Sequence, residues 1–411
     1  MSTPSHDLIV FGATSFVGQI LARYLVEQYG TQGSLKWAIA GRSEQKLATL
    51  RNSLGLAAGK LPLIVADAAD DAALRRLCES TRVVASTVGP YALYGEPLVK
   101  ACAETGTDYC DLTGEVQWIR RMIRNYEPAA RRSGARIVHC CGFDSIPSDL
   151  GVHFLQQQAR RRFGAPCNTV KMRVKSLRGG FSGGTVASLL NVVKEASANP
   201  ALRKELANPY SICPEGYAPE VRQPNVTSAQ YDGDFEAWVA PFVMSAINTR
   251  VVQRSSALSK QAYGEDFRYD EATLMGRGMK GRAAALGLAA GLGGFMLASA
   301  LPPTRWVLER FVLPAPGEGP SAEEQRNGFF DLRFFGTTAD GRSLRVKVTG
   351  DRDPGYGSTA KMLGQAGACL AQDCADSGRK GGFWTPATMF GDVLVERLVA
   401  HAGLGFETLE D

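Results

Sequence analysis

The rhythm of apolar positions changes along the chain. Through residues 1–150, short apolar runs at Leu8–Phe11, Trp37–Ala40, Leu63–Ala66, Val83–Val88 and Ile137–Cys140 alternate with helical patterns such as Val17–Tyr29. Short, fully apolar strands separated by helices predict a parallel sheet with helices on both faces. Beyond residue 165 the period becomes two. Val170, Met172 and Val174 alternate with Lys171, Arg173 and Lys175, and Phe330, Leu332 and Phe334 alternate with Asp331 and Arg333. After the Asp340-Gly341 turn, Leu344, Val346 and Val348 alternate with Arg345 and Lys347. One apolar and one polar face per strand predicts an antiparallel sheet.

Prolines at 200, 209, 214, 219 and 224 predict a long irregular excursion over Asn199–Pro224. Helical patterning returns near the C-terminus. There Ser358 is a candidate cap for a helix carrying Met362, Leu363, Ala366, Cys369 and Leu370, and Thr385-Pro386 opens another that ends near Gly403. The expected fold class is α/β, in three parts: a parallel, doubly wound domain over 1–150, an α+β domain on an antiparallel sheet over 151–352, and C-terminal helices over 353–411.

Ala283–Leu301 breaks both rhythms, with 19 residues and no charge, preceded by Arg277, Lys280 and Arg282. Its length suits a bilayer span, and the flanking bases would face the cytoplasm. Seven Ala and four Gly make insertion marginal, however, and Gly287 and Gly291 permit close helix packing. The expectation is a helix or helical hairpin, 283–301, attached peripherally to a membrane surface or to another subunit of a homo-oligomer, with a helix lining a substrate tunnel as the alternative.

Hydrophobic residues at 45% and charged residues at 21% describe a folded globular chain, and a net charge of +5 leaves no footprint for nucleic acid. Nine cysteines without a Cys-x-x-Cys spacing, and four scattered histidines, point away from a disulfide framework or metal site and toward the cytoplasm. Met1–Asp7 lacks a basic region ahead of the first apolar run, so that run reads as a strand and not a signal peptide.

The first candidate site follows directly on the first strand. Gly12-Ala13-Thr14-Ser15-Phe16-Val17-Gly18 leads into an amphipathic helix, with Ser15 where a middle glycine is commoner. Glycines there let the chain turn tightly and bring its amides to a pyrophosphate at the helix N-terminus. The second strand ends Ala40-Gly41-Arg42-Ser43, without the acid that binds a ribose 2′-hydroxyl. Arg42 and nearby Lys46 suit a 2′-phosphate, so NADP(H) is the expected cofactor. Asp67, closing the third strand, reads either as an adenine-side residue or as a helix cap for Ala68–Leu77.

Further on the chain reads Thr87-Val88-Gly89-Pro90-Tyr91-Ala92-Leu93-Tyr94-Gly95-Glu96-Pro97, then Tyr109-Cys110-Asp111-Leu112-Thr113-Gly114-Glu115, then Cys141-Gly142-Phe143-Asp144-Ser145-Ile146-Pro147-Ser148-Asp149-Leu150-Gly151. With Asp353-Pro354-Gly355-Tyr356 and Gly381-Gly382-Phe383-Trp384-Thr385-Pro386, these strings resemble the saccharopine dehydrogenase-like oxidoreductases, nearest the branch of trans-acting enoyl reductases. The resemblance implies an N-terminal Rossmann domain, a central domain covering the nicotinamide end, a C-terminal segment returning to the first domain, and an active site in the cleft between domains. Val88, Gly89 and Pro90 would lie beside the nicotinamide ribose, with Tyr91, Tyr94 and Glu96 at the mouth.

The activity implied is NADPH-dependent hydride transfer to an activated C=C of a lipid or polyketide-type substrate, free or carrier-bound. A C–N oxidoreductase acting on an amino acid, and a lipid- or membrane-associated protein that keeps NADP without turnover, are the alternatives. Hydride transfer needs a proton donor at the atom that gains charge, and Tyr91, Tyr94, Asp144 and Tyr356 are the candidates. The plain alternatives are aromatic packing for the tyrosines and helix capping near Pro147 for Asp144 and Asp149. Glu115 reads as a structural hydrogen-bonding residue. A second glycine-rich stretch, 179–185, would seat a substrate carbonyl or phosphate, or simply cap the helix after it.

Overall fold

The computed structural model describes residues 4–179, 183–217, 219–308, 310, 319–374 and 378–410, with no side chains described over 183–187. In chain order the first half holds β1 (His6–Phe11), α1 (Phe16–Tyr29), β2 (Trp37–Gly41), α2 (Glu44–Ser53), β3 (Leu63–Val65), α3 (Asp71–Glu79), β4 (Thr81–Ser86), α4 (Tyr91–Tyr94), α5 (Glu96–Thr105), β5 (Asp108–Asp111), α6 (Val116–Ser133), β6 (Arg136–Val138) and α7 (Ile146–Phe163). Next come β7 (Cys167–Arg178), α8 (Gly183–Ala198), α9 (Pro200–Ala207), β8 (Gln230–Asp232), β9 (Ala237–Pro241), α10 (Ser245–Leu258), β10 (Arg268–Gly276), α11 (Gly278–Ala300), α12 (Pro302–Val307) and α13 (Ala322–Asn327). The chain closes with β11 (Phe329–Thr338), β12 (Ser343–Gly350), α14 (Thr359–Gln372), β13 (Gly382–Trp384), α15 (Pro386–Phe390), α16 (Asp392–His401) and β14 (Leu404–Leu409).

Two compact units divide these elements. The first comprises residues 1–146, 317–319 and 355–403. Among the described residues it carries a seven-stranded sheet in the order β13-β6-β5-β4-β1-β2-β3, every pairing parallel. Leu8, Ile9 and Val10 of β1 and Val83, Val84 and Ala85 of β4 are wholly buried, as continuous apolar strands in a covered parallel sheet must be. This is the Rossmann-type winding. β5 and β13 had no clear apolar signature, because β5 begins and ends in aspartate and β13 has three residues; neighbours supply their stability.

The second unit comprises residues 147–316, 320–354 and 404–411. Its sheet runs β14-β12-β11-β7-β10-β9-β8, and the period-two apolar residues of β7, β11 and β12 are buried while most of their polar neighbours remain exposed at least in part; Arg173 is the exception, buried between Asp232 and Asp270. The expectation of an antiparallel sheet needs one correction: β7 and β10 pair in parallel, so the sheet is mixed. The 179–267 connection, with its helices and the β8–β9 hairpin, is long enough for the crossover that parallel neighbours demand.

Three further expectations change. Pro200 does not break regular structure; it sits at the first turn of α9, whose N-cap Asn199 accepts from the amides of Ala201 and Leu202. A proline at that position loses no helical hydrogen bond, so only the later prolines enforce irregular chain. The C-terminal helices lie in the first unit as expected, within residues 355–403, but the last strand leaves it, because β14 pairs antiparallel with β12. Asp149 does not precede the helix near Pro147 as a cap; it lies inside α7, in its first turn, and accepts from Ser255 Oγ at 2.5 Å. Elsewhere Thr385 and Thr388 form a capping box on α15, and Gly391, at φ +53°, separates α15 from α16.

α11 is one continuous 23-residue helix, long and apolar enough to cross a membrane. The sheet forbids such a crossing. β10 before it and β11 after it both pair with β7, so both ends of the 277–328 connection lie on one side of any bilayer. A return span would have to fit in 301–328, where Arg305, Glu309, Arg310, Glu318, Glu323 and Glu324 leave no apolar run near the roughly 20 residues required.

Candidate active site

Parallel winding puts the loops after β1 to β6 at one edge of the sheet, where α/β folds bind ligands. In the first of these loops the chain reverses at Gly12, φ +82°. A Cβ on Gly12 would lie 2.5 Å from Val88 Cγ2, and one on Gly18 would lie 2.5 Å from the Gly12 carbonyl oxygen. Both glycines are therefore required by the close approach of this turn to β4's exit and to α1. Ser15, in place of a glycine, is the N-cap of α1: its Oγ accepts from Gly18 N at 3.0 Å and lies 3.0 Å from Thr87 Oγ1. Thr87 in turn reaches the Gly12 carbonyl at 2.9 Å. This Ser15–Thr87–Gly12 tie was not foreseen, since Thr87 carries no signal of its own in the sequence.

Phe16 and Val17 occupy the first two positions of α1, where N–H groups have no intrahelical acceptor. The Phe16 ring meets Tyr356 edge-on at 4.7 Å, which places that tyrosine beside the turn. Thr14 and Gly41 are close neighbours, so the ends of β1 and β2 converge. Beyond Gly41, Arg42 is exposed, Ser43 caps α2 by accepting from Lys46 N at 3.3 Å, and Lys46 is exposed. Open amides at α1 and cations at the start of α2 are the donor set that a dinucleotide with a 2′-phosphate requires. Asp67 is exposed and folds back on the Ala69 amide at 2.9 Å, while the cap of α3 is Asp70. The helix-cap expectation for Asp67 therefore moves three residues on, because α3 starts at Asp71.

The loops after β4, β5 and β6 form the other half. Val88 and Pro90 are partly exposed, Gly89 is exposed, and the Gly89–Pro90 peptide is cis. Glu115, wholly buried, accepts from the amides of Tyr91 at 2.8 Å and Ala92 at 3.0 Å, holding α4 by its N-terminus. Tyr91 is buried, with its hydroxyl engaged by the backbone. Its hydroxyl donates to the Ser86 carbonyl at 2.9 Å and accepts from Leu112 N at 3.2 Å; burial, then the Asp111 charge, push its phenol well above the ordinary range. Tyr91 thus positions the loop. Tyr94, three residues on, is exposed, and Glu96 is engaged by Tyr126 and Arg121.

Asp111 anchors the third loop. It accepts from Tyr109 OH at 3.0 Å, His139 Nδ1 at 2.7 Å, and the amides of Thr113 and Cys140. This buried knot joins β5 to β6 and explains the otherwise unfavourable φ of +63° at Cys140. Asp144 follows on a turn fixed by Phe143 N donating to Thr359 Oγ1 at 3.0 Å. It is partly exposed, yet burial, then the Asp111 charge, push its carboxyl up to about 7. Sequence motifs marked these strings, but not their division of labour: Asp111, Glu115 and Tyr91 hold the frame, and Asp144 is left with titratable chemistry. Of the second glycine-rich stretch, residues 180–182 lie outside the described residues.

Residues 8–138 match the saccharopine dehydrogenase NADP binding domain family. Together with the turn and the parallel sheet, this defines an NAD(P)-dependent oxidoreductase using NADP(H). A Mycobacterium tuberculosis protein provisionally named a trans-acting enoyl reductase is 40% identical over 419 residues, covering 99% of this chain and 98% of its own. A trans-acting enoyl reductase of Mycobacterium bovis is 38% identical over 406 residues, 95% of each. Saccharopine dehydrogenase (L-Glu forming) of Saccharomyces cerevisiae shares the fold at TM-score 0.55 and 13% identity, covering 98% of this chain and 100% of that one. The chain belongs to the saccharopine dehydrogenase-like oxidoreductases, alongside the trans-acting enoyl reductases.

Proposed function

We propose that the protein reduces the activated C=C of an enoyl thioester on a lipid or polyketide-type chain. The observation that carries this reading is identity of 37–40% with proteins named for that activity over nearly the full length. NADPH, when bound, supplies the hydride to the β-carbon. The π electrons move toward the thioester carbonyl, and the Asp144 carboxyl gives its proton to the α-carbon, leaving a saturated thioester; solvent reprotonates the carboxylate. A carboxyl held near 7 is matched to donating a proton at neutral pH.

The test is NADPH oxidation with a panel of enoyl thioesters on coenzyme A and on carrier protein. Turnover should fall as pH rises through about 7, and Asp144→Asn should lower kcat without weakening NADPH binding. Oxidation only with an amine and a carbonyl compound would assign C–N chemistry instead. NADPH binding without turnover on any of these would leave a nucleotide-retaining binding protein.

A further inference from the structure

Helix α11 lies with one stripe inward. Gly281, Ala285 and Ser299 are buried, Leu288, Leu292 and Phe295 between them are partly covered, and the helix packs on α8, β9 and β10 of its own unit. The opposite face is uncovered. Of the 16 exposed large hydrophobic side chains among the described residues, seven fall within 279–307, so the exposed apolar surface of the chain is concentrated here. Leu286, Leu297 and Trp306 are 54%, 65% and 59% exposed.

Charge distinguishes what could cover this face. From Ala272 to Leu308 there is no Asp or Glu, while Arg277, Lys280, Arg282 and Arg305 flank the apolar run at both ends. Arg277 pairs with Glu236 and Arg282 lies over the Trp238 ring at 5.3 Å, whereas Lys280 is exposed. A freestanding interfacial helix needs a polar face of its own, which α11 lacks. Here the sheet and α8 take up the inner stripe, so the folded unit supplies the polar side. A self-complementary contact would bring cations of two copies together with no acid in the segment to oppose them, which disfavours a second copy.

We propose that the outer face of α11, with α12, docks on an anionic phospholipid surface, burying its apolar side chains at the headgroup boundary without crossing the bilayer. Trp306 at the far end suits that boundary, and the basic residues at both ends face the phosphates. The proposal is independent of the reaction catalysed.

Flotation of the full chain with vesicles of phosphatidylcholine, alone or mixed with phosphatidylglycerol, tests it. The protein should float with the mixed vesicles, much less with the neutral ones, and be released by high salt. Lys280→Gln, Arg282→Gln and Arg305→Gln together should weaken partitioning on the order of 100-fold. Leu286→Gln with Leu297→Gln, both at exposed positions, should also abolish flotation while NADPH binding persists, which separates lost docking from lost folding. Equal binding to neutral vesicles, unaffected by the charge variants, would overturn the proposal. So would a stable dimer that the leucine variants dissociate and that does not float: the face would then be a subunit interface.

Discussion

Arg42→Ala isolates the cofactor's 2′-phosphate from every other determinant of binding. Arg42 is exposed, directly after β2, and no hydrogen bond or ion pair to it occurs among the described residues. Its removal therefore leaves the fold untouched. A hydrogen bond to a charged group contributes about 1.5–3 kcal/mol, and exposure favours the lower end, so NADPH should bind about 10-fold more weakly. NADH lacks the phosphate and should bind as before. Fluorescence titration of both nucleotides, at low and high salt, measures the ratio. Salt should compress the wild-type preference and leave that of the variant nearly flat, because exposed charges are screened. An unchanged ratio in Arg42→Ala, or equal weakening of both nucleotides, would refute the assignment.

Thr87→Val should weaken NADPH and NADH alike and lower stability by about 1–2 kcal/mol, since it unties Ser15 and Gly12 and removes no charge; titration and thermal unfolding check both. Gly18→Ala pushes a methyl within 3.0 Å of the Gly12 and Ala13 backbone, which cannot yield as a side chain would, so unfolding should move down by about 1–3 kcal/mol with weaker NADPH binding. Glu271, wholly buried and accepting from Tyr269 OH and Asn248 Nδ2, has its carboxyl pushed up to about 7 by burial. A raised acid stabilises the fold fully below its ordinary value and loses that contribution as pH rises through about 7. Glu271→Gln should therefore flatten the decline in melting temperature between about pH 5 and about pH 8; an unchanged slope would place the titration elsewhere.

Local pattern determined much of this protein. Apolar runs bounded by glycine specify covered parallel strands, period-two alternation specifies β7, β11 and β12, and Gly12 to Gly18 with Arg42 specify a phosphate-binding turn and its nucleotide, because each depends on residues adjacent in the chain. What the tertiary structure decided depends on residues far apart. Thr87 matters only because β4 lies beside β1, and Glu115 only because it reaches the amides of Tyr91 and Ala92 across 24 and 23 residues. Tyr91 and Asp144 both look like proton donors in the sequence. The Tyr91 hydroxyl is held between the Ser86 carbonyl and the Leu112 amide, and burial beside Asp111 pushes the Asp144 carboxyl up to about 7, contacts that chain order alone does not reveal. Composition likewise leaves the 283–301 segment free to span a bilayer. It is the pairing of β10 and β11 to the same strand that keeps both its ends on one side, since backbone hydrogen bonds in a sheet admit no membrane between neighbours.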